Sequence, residues 1–150
     1  MSREYPEWPV VGGGVVVLGS QGVVLIRRGK PPRQGQWSLP GGAQKLGETV
    51  FDAARREARE ETGLDIDVLG LVDVVDSIQT GDGGKVRYHY TLVDVLAVVQ
   101  PGAGPDGLRA GGDAQEAAWV ALGDIPGLEL WSETERIINL AVEMQSALED

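Results

Sequence analysis

The pattern of apolar and polar positions divides the chain into strands and two helices. Runs rich in β-branched residues predict strands at 10–18, 22–28, 37–39, 66–75, 86–100 and 116–121. Apolar residues at helical spacing predict one helix at about 49–62 and another from Ser132 to about Leu148. Thr49 and Gly63 are suited to begin and end the first helix, and Ser132 with Glu135 forms a capping box for the second. One mixed sheet between two helices is an α/β fold, an α/β/α sandwich.

The segments between these elements are rich in glycine and proline. Loops are predicted at 30–36, 79–85 and 101–113, and Pro40-Gly41-Gly42 is predicted to end the short third strand. Glycines 12–14 lie inside the first strand, where they allow a close approach of backbone or ligand. No repeat or linker divides the chain, so residues 1–150 are predicted to form a single domain.

Three glutamates of the first helix, Glu57, Glu60 and Glu61, fall in or beside its apolar face. Carboxylates in an apolar interface are costly unless their charge is compensated. Glu57 and Glu61 are also a like-charge pair one turn apart, which destabilises an isolated helix. A hard divalent cation with oxygen ligands removes both objections. The three glutamates are therefore the predicted metal ligands, although a salt-bridged surface helix is the alternative.

Composition narrows the possible function classes. A formal net charge of −10 argues against binding of a nucleic-acid polymer, which uses a basic surface. The chain has no cysteine, no signal-like start and no apolar run long enough to span a membrane. These features predict a cytoplasmic protein without membrane association.

The spacing of the acidic helix is specific enough to suggest a family. Gly42, Glu48 and the run Arg56-Glu57-Ala58-Arg59-Glu60-Glu61-Thr62-Gly63-Leu64 resemble the Nudix box, with every fixed position filled. The segments RRGKPPRQGQWSLPGG, RYHYTLVD and DAQEAAWVALGDIPGL extend the similarity to the MutT-like branch that includes ADP-ribose pyrophosphatases. The resemblance covers nearly the whole chain and implies the Nudix fold.

This resemblance implies hydrolysis of a diphosphate bond in a nucleoside diphosphate linked to another group, with an ADP-ribose-like substrate favoured. Mg²⁺ is the expected cofactor, with Mn²⁺ as the alternative. The resemblance also implies that the carbonyl of Gly41 completes the metal shell. Glu48 either joins the metal site or pairs with Arg56, and the resemblance favours the pair. A small nucleotide is the expected partner, and a homodimer is left open.

Several roles remain open between neighbouring residues. The proton acceptor is one of four carboxylates, on Glu60, Glu61, Asp113 or Glu116. Arg28 and Arg27 point to opposite sides of their strand, and the resemblance favours Arg28 on the phosphates. Arg33 is a second candidate for phosphate binding. Two tryptophans, Trp37 and Trp119, are predicted core residues, and the only histidine, His89, is predicted to be buried.

Three other functions remain compatible with these residues. The substrate could be a (deoxy)nucleoside triphosphate or a dinucleoside polyphosphate, because the Nudix box contacts the diphosphate and not the groups attached to it. A third alternative is a non-catalytic, nucleotide-sensing Nudix module. Specificity is expected to lie in the loops at 28–37, 76–86 and 101–116.

Overall fold

The computed structural model describes residues 3–102 and 107–149. Within these residues, seven strands and two α-helices form the fold, with the bounds β1 Val10–Gly19, β2 Gly22–Arg28, β3 Trp37–Ser38, β4 Gly41–Ala43, α1 Val50–Thr62, β5 Ile66–Thr80, β6 Val86–Val99, β7 Ala114–Val120 and α2 Ser132–Glu149. Short 3₁₀ helices cover Asp82–Gly84 and Leu122–Leu128. Four residues of the predicted 101–113 loop, 103–106, lie outside the described residues.

The strands form a mixed sheet with the order β3-β2-β1-β6-β5, to which β4 adds on β1 and β7 adds on β2. The pairing of β1 with β6 is parallel, and the other pairings are antiparallel. Helix α1 covers one face of the sheet and α2 covers the other. The predicted α/β/α sandwich is therefore confirmed.

Two apolar clusters fill the space between the sheet and the helices. On the α1 face, Val15, Val17 and Val95 pack with Ala58 of the helix. On the α2 face, Val16, Leu18, Leu25 and Leu96 pack with Ile137, Ile138 and Ala141. Neighbouring residues of one strand thus belong to different clusters, as strand alternation requires. The prediction of Trp119 as a core residue agrees with its packing on the α1-face cluster.

Strand β1 changes its partner along one edge. Its end, Leu18 and Gly19, pairs with β2, whereas its middle, Gly12–Gly14, pairs with β4. A Cβ atom on Gly41 would lie 1.9 Å from the carbonyl oxygen of Gly13, so only a glycine fits in this pairing. The predicted close approach at glycines 12–14 is confirmed, and β2 and β4 separate at this fork.

Some element bounds differ from the sequence prediction. The segment Pro40-Gly41-Gly42, predicted to end the third strand, contains the start of a further strand, β4, because its backbone pairs with the glycines of β1. Strand β5 continues to Thr80 instead of ending at Val75, because it pairs with β6 along its whole length. His89 is only partly buried, contrary to the prediction. Within the described ranges, no helix has the length and apolar character needed to cross a membrane.

Candidate active site

Helix α1 has local signals at both ends that fix the position of its glutamates. The side chain of Thr49 accepts a hydrogen bond from the amide of Asp52 at 3.0 Å, which caps the first turn. Gly63 adopts a left-handed conformation with φ of 73°, and its amide donates to the carbonyl of Arg59. The predicted helix at 49–62 is confirmed to within one residue at its start.

Glu61 is the most buried acidic residue of the helix, with 6% of its surface exposed. Its Oε1 accepts a hydrogen bond from the amide of Gly41 at 2.7 Å. Burial raises the pKa of Glu61 to about 7, and the charge of Glu57 acts in the same direction. The Gly41 hydrogen bond and the positive charge of Arg28 partly oppose the rise.

Glu57 lies one turn before Glu61 and faces the same cleft. Burial raises its pKa, although the neighbouring guanidinium of Arg56 opposes the rise. A Cβ atom on Gly42 would lie 2.7 Å from the carboxyl carbon of Glu57. A glycine at position 42 therefore leaves the space that the Glu57 carboxylate occupies.

Arg56 connects the helix to the segment before it. Its Nε donates to Oε2 of Glu48 at 2.6 Å, and its Nη2 donates to Oε1 of Glu48 and to the carbonyl of Ala43, both at 3.0 Å. Its Nη1 also donates to Oε1 of Glu57 at 2.7 Å. The Arg56 hydrogen bonds, with one from the amide of Lys45, lower the pKa of Glu48 to about 2. Of the two roles considered for Glu48, the structure shows the pair with Arg56.

Glu60 lies at the exposed edge of the helix, where its carboxylate shares the Nη1 donor of Arg56 with Glu57. Its side chain is 47% exposed and accepts a hydrogen bond from Arg56 at 3.3 Å, and it does not line the cleft. The expectation that Glu60 lies at the apolar face is therefore wrong, because the buried side of α1 consists of Ala53, Ala58, Glu61 and Thr62. In residues 3–102 and 107–149, no cluster of three or more acidic, histidine or cysteine side chains is arranged to hold a metal ion.

The pair Glu57 and Glu61 nevertheless fits a hard divalent cation. Both carboxylates are oxygen ligands, both face the cleft, and both have raised pKa values. Each carboxylate raises the energy of the other's charged form, and a cation between them would reverse that effect. The amide of Gly41 is bonded to Glu61, and its carbonyl remains a predicted ligand.

The two candidate phosphate-binding arginines lie on the opposite wall. Arg28 lines the cleft and donates from Nε to the carbonyl of Pro32 at 2.7 Å. Arg33 also lines the cleft, with its guanidinium 4.0 Å from the ring centre of Trp131. Burial and the charge of Arg28 lower the pKa of Arg33. Two guanidinium groups beside each other favour an anion between them.

Arg27 and Glu116 lie away from this wall. They face each other on paired strands, and their charged groups are 3.4 Å apart. Neither residue lines the cleft, so the structure does not bring Glu116 to the other candidate proton acceptors. Asp113 does line the cleft, where its carboxylate lies 3.1 Å from the ammonium of Lys30.

The cleft has a volume of about 730 Å³, which is within the range of small-molecule sites. Besides the charged wall it has an aromatic part, which sequence reasoning missed. The predicted core residue Trp37 is also part of the lining, and other members are Tyr88, Tyr90, Trp131 and the buried Asp94. The one sequence signal for Asp94 is an acidic residue inside the apolar run LVDVLAVV.

Comparisons with known proteins identify the family of this chain. The family model described as NUDIX domain matches residues 8–140. An ADP-ribose pyrophosphatase from Methanocaldococcus jannaschii is 34% identical over 130 residues, which are 87% of this chain and 71% of that protein. A putative mutator protein MutT4 from Mycobacterium tuberculosis is 32% identical over 145 residues, 91% of this chain and 56% of that protein.

One solved protein structure is similar to this chain along most of the length of both chains. The crystal structure of a MutT NUDIX hydrolase from Burkholderia pseudomallei superposes with a TM-score of 0.74 and 30% identity, covering 89% of this chain and 98% of that one. The region matched by the family model contains the whole box from Gly42 to Leu64 and both candidate phosphate-binding arginines, Arg28 and Arg33. The chain therefore belongs to the NUDIX family, as a hydrolase of pyrophosphate bonds.

Proposed function

We propose that the protein hydrolyses, with Mg²⁺, the diphosphate bond of a nucleoside diphosphate linked to another group, with an ADP-ribose-like compound as substrate. The observation that carries this proposal is the pair of like-charged carboxylates, Glu57 and Glu61, facing Arg28 across one cleft. The similarity to an ADP-ribose pyrophosphatase supports the choice of substrate.

Glu57 and Glu61 would hold the metal ion, with Glu60 and the carbonyl of Gly41 as further ligands. When bound there, a divalent cation polarises the diphosphate and makes a bound water more acidic. Glu60 would have to leave Arg56 to take part, since its carboxylate accepts from that guanidinium. Mn²⁺ is the alternative ion.

The side chains of the opposite wall bind and orient the substrate. Arg28 and Arg33 donate to phosphate oxygens, which places the diphosphate beside the glutamates. Of the candidate proton acceptors, Glu61 and Asp113 line the cleft, and we assign the acceptor to one of these two. Glu48 and Arg56 hold the loop and helix together and do not line the cleft.

A substrate panel tests the proposed function. Purified protein would be assayed with Mg²⁺, with Mn²⁺ and after exhaustive chelation, and the products would be identified by mass spectrometry. We expect AMP and ribose 5-phosphate from ADP-ribose, and no turnover without metal. Undiminished turnover after chelation would contradict the metal assignment.

The same panel separates the alternatives. Faster release of pyrophosphate from a nucleoside triphosphate, or faster cleavage of a dinucleoside polyphosphate, would replace ADP-ribose as the substrate. Binding of nucleotides without turnover of any of them would indicate a sensing module. Glu143→Gln is a suitable control, because Glu143 lies on the exposed side of α2 and should leave every rate unchanged.

A further inference from the structure

One buried acidic residue lies in the cleft without a role in the proposed chemistry. Asp94 of β6 is 5% exposed, and its Oδ1 accepts a hydrogen bond from the amide of Gly14 at 2.7 Å. Burial raises the pKa of Asp94 to about 6. Its strand neighbour Asp73 is instead partly exposed and paired with Arg136 at 3.0 Å. A carboxylate can accept about four hydrogen bonds, so Asp94 has capacity for donors from a ligand.

Asp94 lies on the opposite face of the sheet from the paired glutamates. Within β6, Val95 packs with the α1-face cluster and Leu96 with the α2-face cluster. Strand alternation therefore places Asp94 on the α2 face, as it does Leu92. Leu39 and Trp131 pack on the same cluster and also line the cleft. This part of the cleft thus combines flat or apolar walls with the buried Asp94. A second acidic residue in the lining, Glu133, is partly exposed and already paired with Arg136 at 2.6 Å.

The two parts of the cleft are joined by a short backbone path. The amide of Gly14 binds Asp94, Gly14 is paired with Gly41, and the amide of Gly41 binds Glu61. The path from the Asp94 carboxylate to the Glu61 carboxylate consists of two hydrogen bonds and the spacing between two paired strands. The two carboxylates are therefore separated by on the order of 10 Å. That separation matches the distance from the diphosphate of a nucleotide to the far edge of its base.

We propose that Asp94 determines specificity by accepting a hydrogen bond from the exocyclic amino group of the substrate's nucleobase. This inference rests on the proposed function, because it assumes that the diphosphate lies beside Glu57 and Glu61. An amino group donates to a carboxylate, whereas a carbonyl oxygen at the same position is repelled by it. A buried acceptor without a donor is costly, so a base that lacks the amino group binds more weakly.

Pairs of nucleoside monophosphates that differ at this group provide the test. AMP would be compared with purine riboside 5′-monophosphate, GMP with IMP, and CMP with UMP, by calorimetric binding to the wild-type protein. We expect the amino-bearing member of at least one pair to bind at least tenfold more tightly. The pair that discriminates identifies the base as adenine, guanine or cytosine.

Asp94→Asn provides the decisive variant. Asparagine keeps the shape of the side chain and an oxygen that accepts from Gly14, but it replaces the second carboxylate oxygen by a donor. We expect the discrimination within the pair to fall to threefold or less, or to reverse. Asp73→Asn is the matched control, because it removes a carboxylate opposite Asp94 but outside the cleft, and it should keep the wild-type discrimination.

Three results would overturn the proposal. The first is equal binding of both members of every pair by the wild-type protein. This result needs no variant, so it would refute the proposal even if Asp94→Asn does not fold. The second is unchanged discrimination in Asp94→Asn. The third is a lower melting temperature of Asp94→Asn together with equally weakened binding of both members of a pair. Asp94 would then only hold the backbone at Gly14 in place. Failure of the proposed function looks different, since monophosphate discrimination would persist while no diphosphate is hydrolysed.

Discussion

Replacing Glu61 by glutamine should separate the chemical role of this side chain from its cost to stability. The folded protein holds the Glu61 carboxyl at a pKa of about 7, against an ordinary value of 4.5. The folded state therefore binds the proton more tightly than the unfolded state does. Without metal, stability should fall as pH rises from 4.5 to 7, because the buried group must then become charged.

The size of this effect follows from the two pKa values. Each pKa unit corresponds to about 1.36 kcal/mol, so the difference between 4.5 and about 7 gives at most about 3.4 kcal/mol. Glutamine resembles the neutral form of the glutamate and can still accept from the amide of Gly41. Metal-free Glu61→Gln should therefore be more stable than the metal-free wild type at pH 8, by up to about 3.4 kcal/mol. The two proteins should have similar stability near pH 4.5.

Chemical denaturation in the presence of a chelator, from pH 4.5 to 8, would measure this difference. Adding Mg²⁺ should stabilise the wild type more than the variant, through preferential binding to the folded state. Turnover should fall strongly in Glu61→Gln. Glu143→Gln, on an exposed helix surface, should match the wild type at every pH.

One result would refute this reasoning. If metal-free Glu61→Gln is less stable than the wild type at pH 8, the carboxylate is a structural partner whose charge is already compensated. Normal turnover by such a variant would also remove Glu61 from the metal site. Glu57→Gln provides an independent repetition, because burial raises the pKa of Glu57 as well.

Three further predictions concern the surroundings of the glutamates. Glu48→Gln should have a lower melting temperature than the wild type at neutral pH. This difference in melting temperature should disappear as pH falls from 4.5 towards 2, because the pKa of Glu48 in the folded protein is lowered to about 2. A difference that is constant with pH would contradict this. Gly42→Ala should keep the fold, as measured by circular dichroism, but lose activity, because the new methyl group displaces the Glu57 carboxylate. Full activity of this variant would show that the position of the Glu57 carboxylate is unimportant. Arg28→Ala should lower kcat/KM by about tenfold to a hundredfold, the range for a hydrogen bond to a charged group. Arg27→Ala, outside the cleft, is its control, and equal losses in both variants would argue against phosphate binding by Arg28.

Features that depend on neighbours in sequence could be predicted well. Thr49, Gly63 and the spacing of Glu57 and Glu61 all act within one helix, so the bounds of α1 and its inward acidic pair followed from sequence alone. The direction of Arg28 relative to Arg27 followed from strand alternation. Capping and side-chain periodicity are local, and no tertiary contact was needed to interpret them.

Features that depend on distant pairing could not be predicted. Strand β4 exists because its backbone meets the glycines of β1, about thirty residues away, whereas the proline and glycines alone indicate only the end of the third strand. Asp94 becomes a cleft residue only because β6 lies beside β1, so that a carboxyl group in an apolar run meets the amide of Gly14. The exposed position of Glu60 is a local feature that was also missed: its carboxylate accepts a hydrogen bond from Arg56, one helical turn earlier.

Strand β1 pairs with β2 at its end and with β4 in its middle, and this fork affects how the substrate preference of the protein can change in evolution. The glutamates approach the fork from the α1 face, whereas Asp94 and Leu92 approach it from the α2 face. Alternate residues of the same strands serve the two faces, so positions on the α2 face can mutate without altering the acidic helix. Libraries randomised at Leu39, Ser77 and Tyr90 should therefore yield altered substrate preference while hydrolysis continues. If the whole cleft lay on one face of the sheet, substrate preference and hydrolysis could not evolve separately.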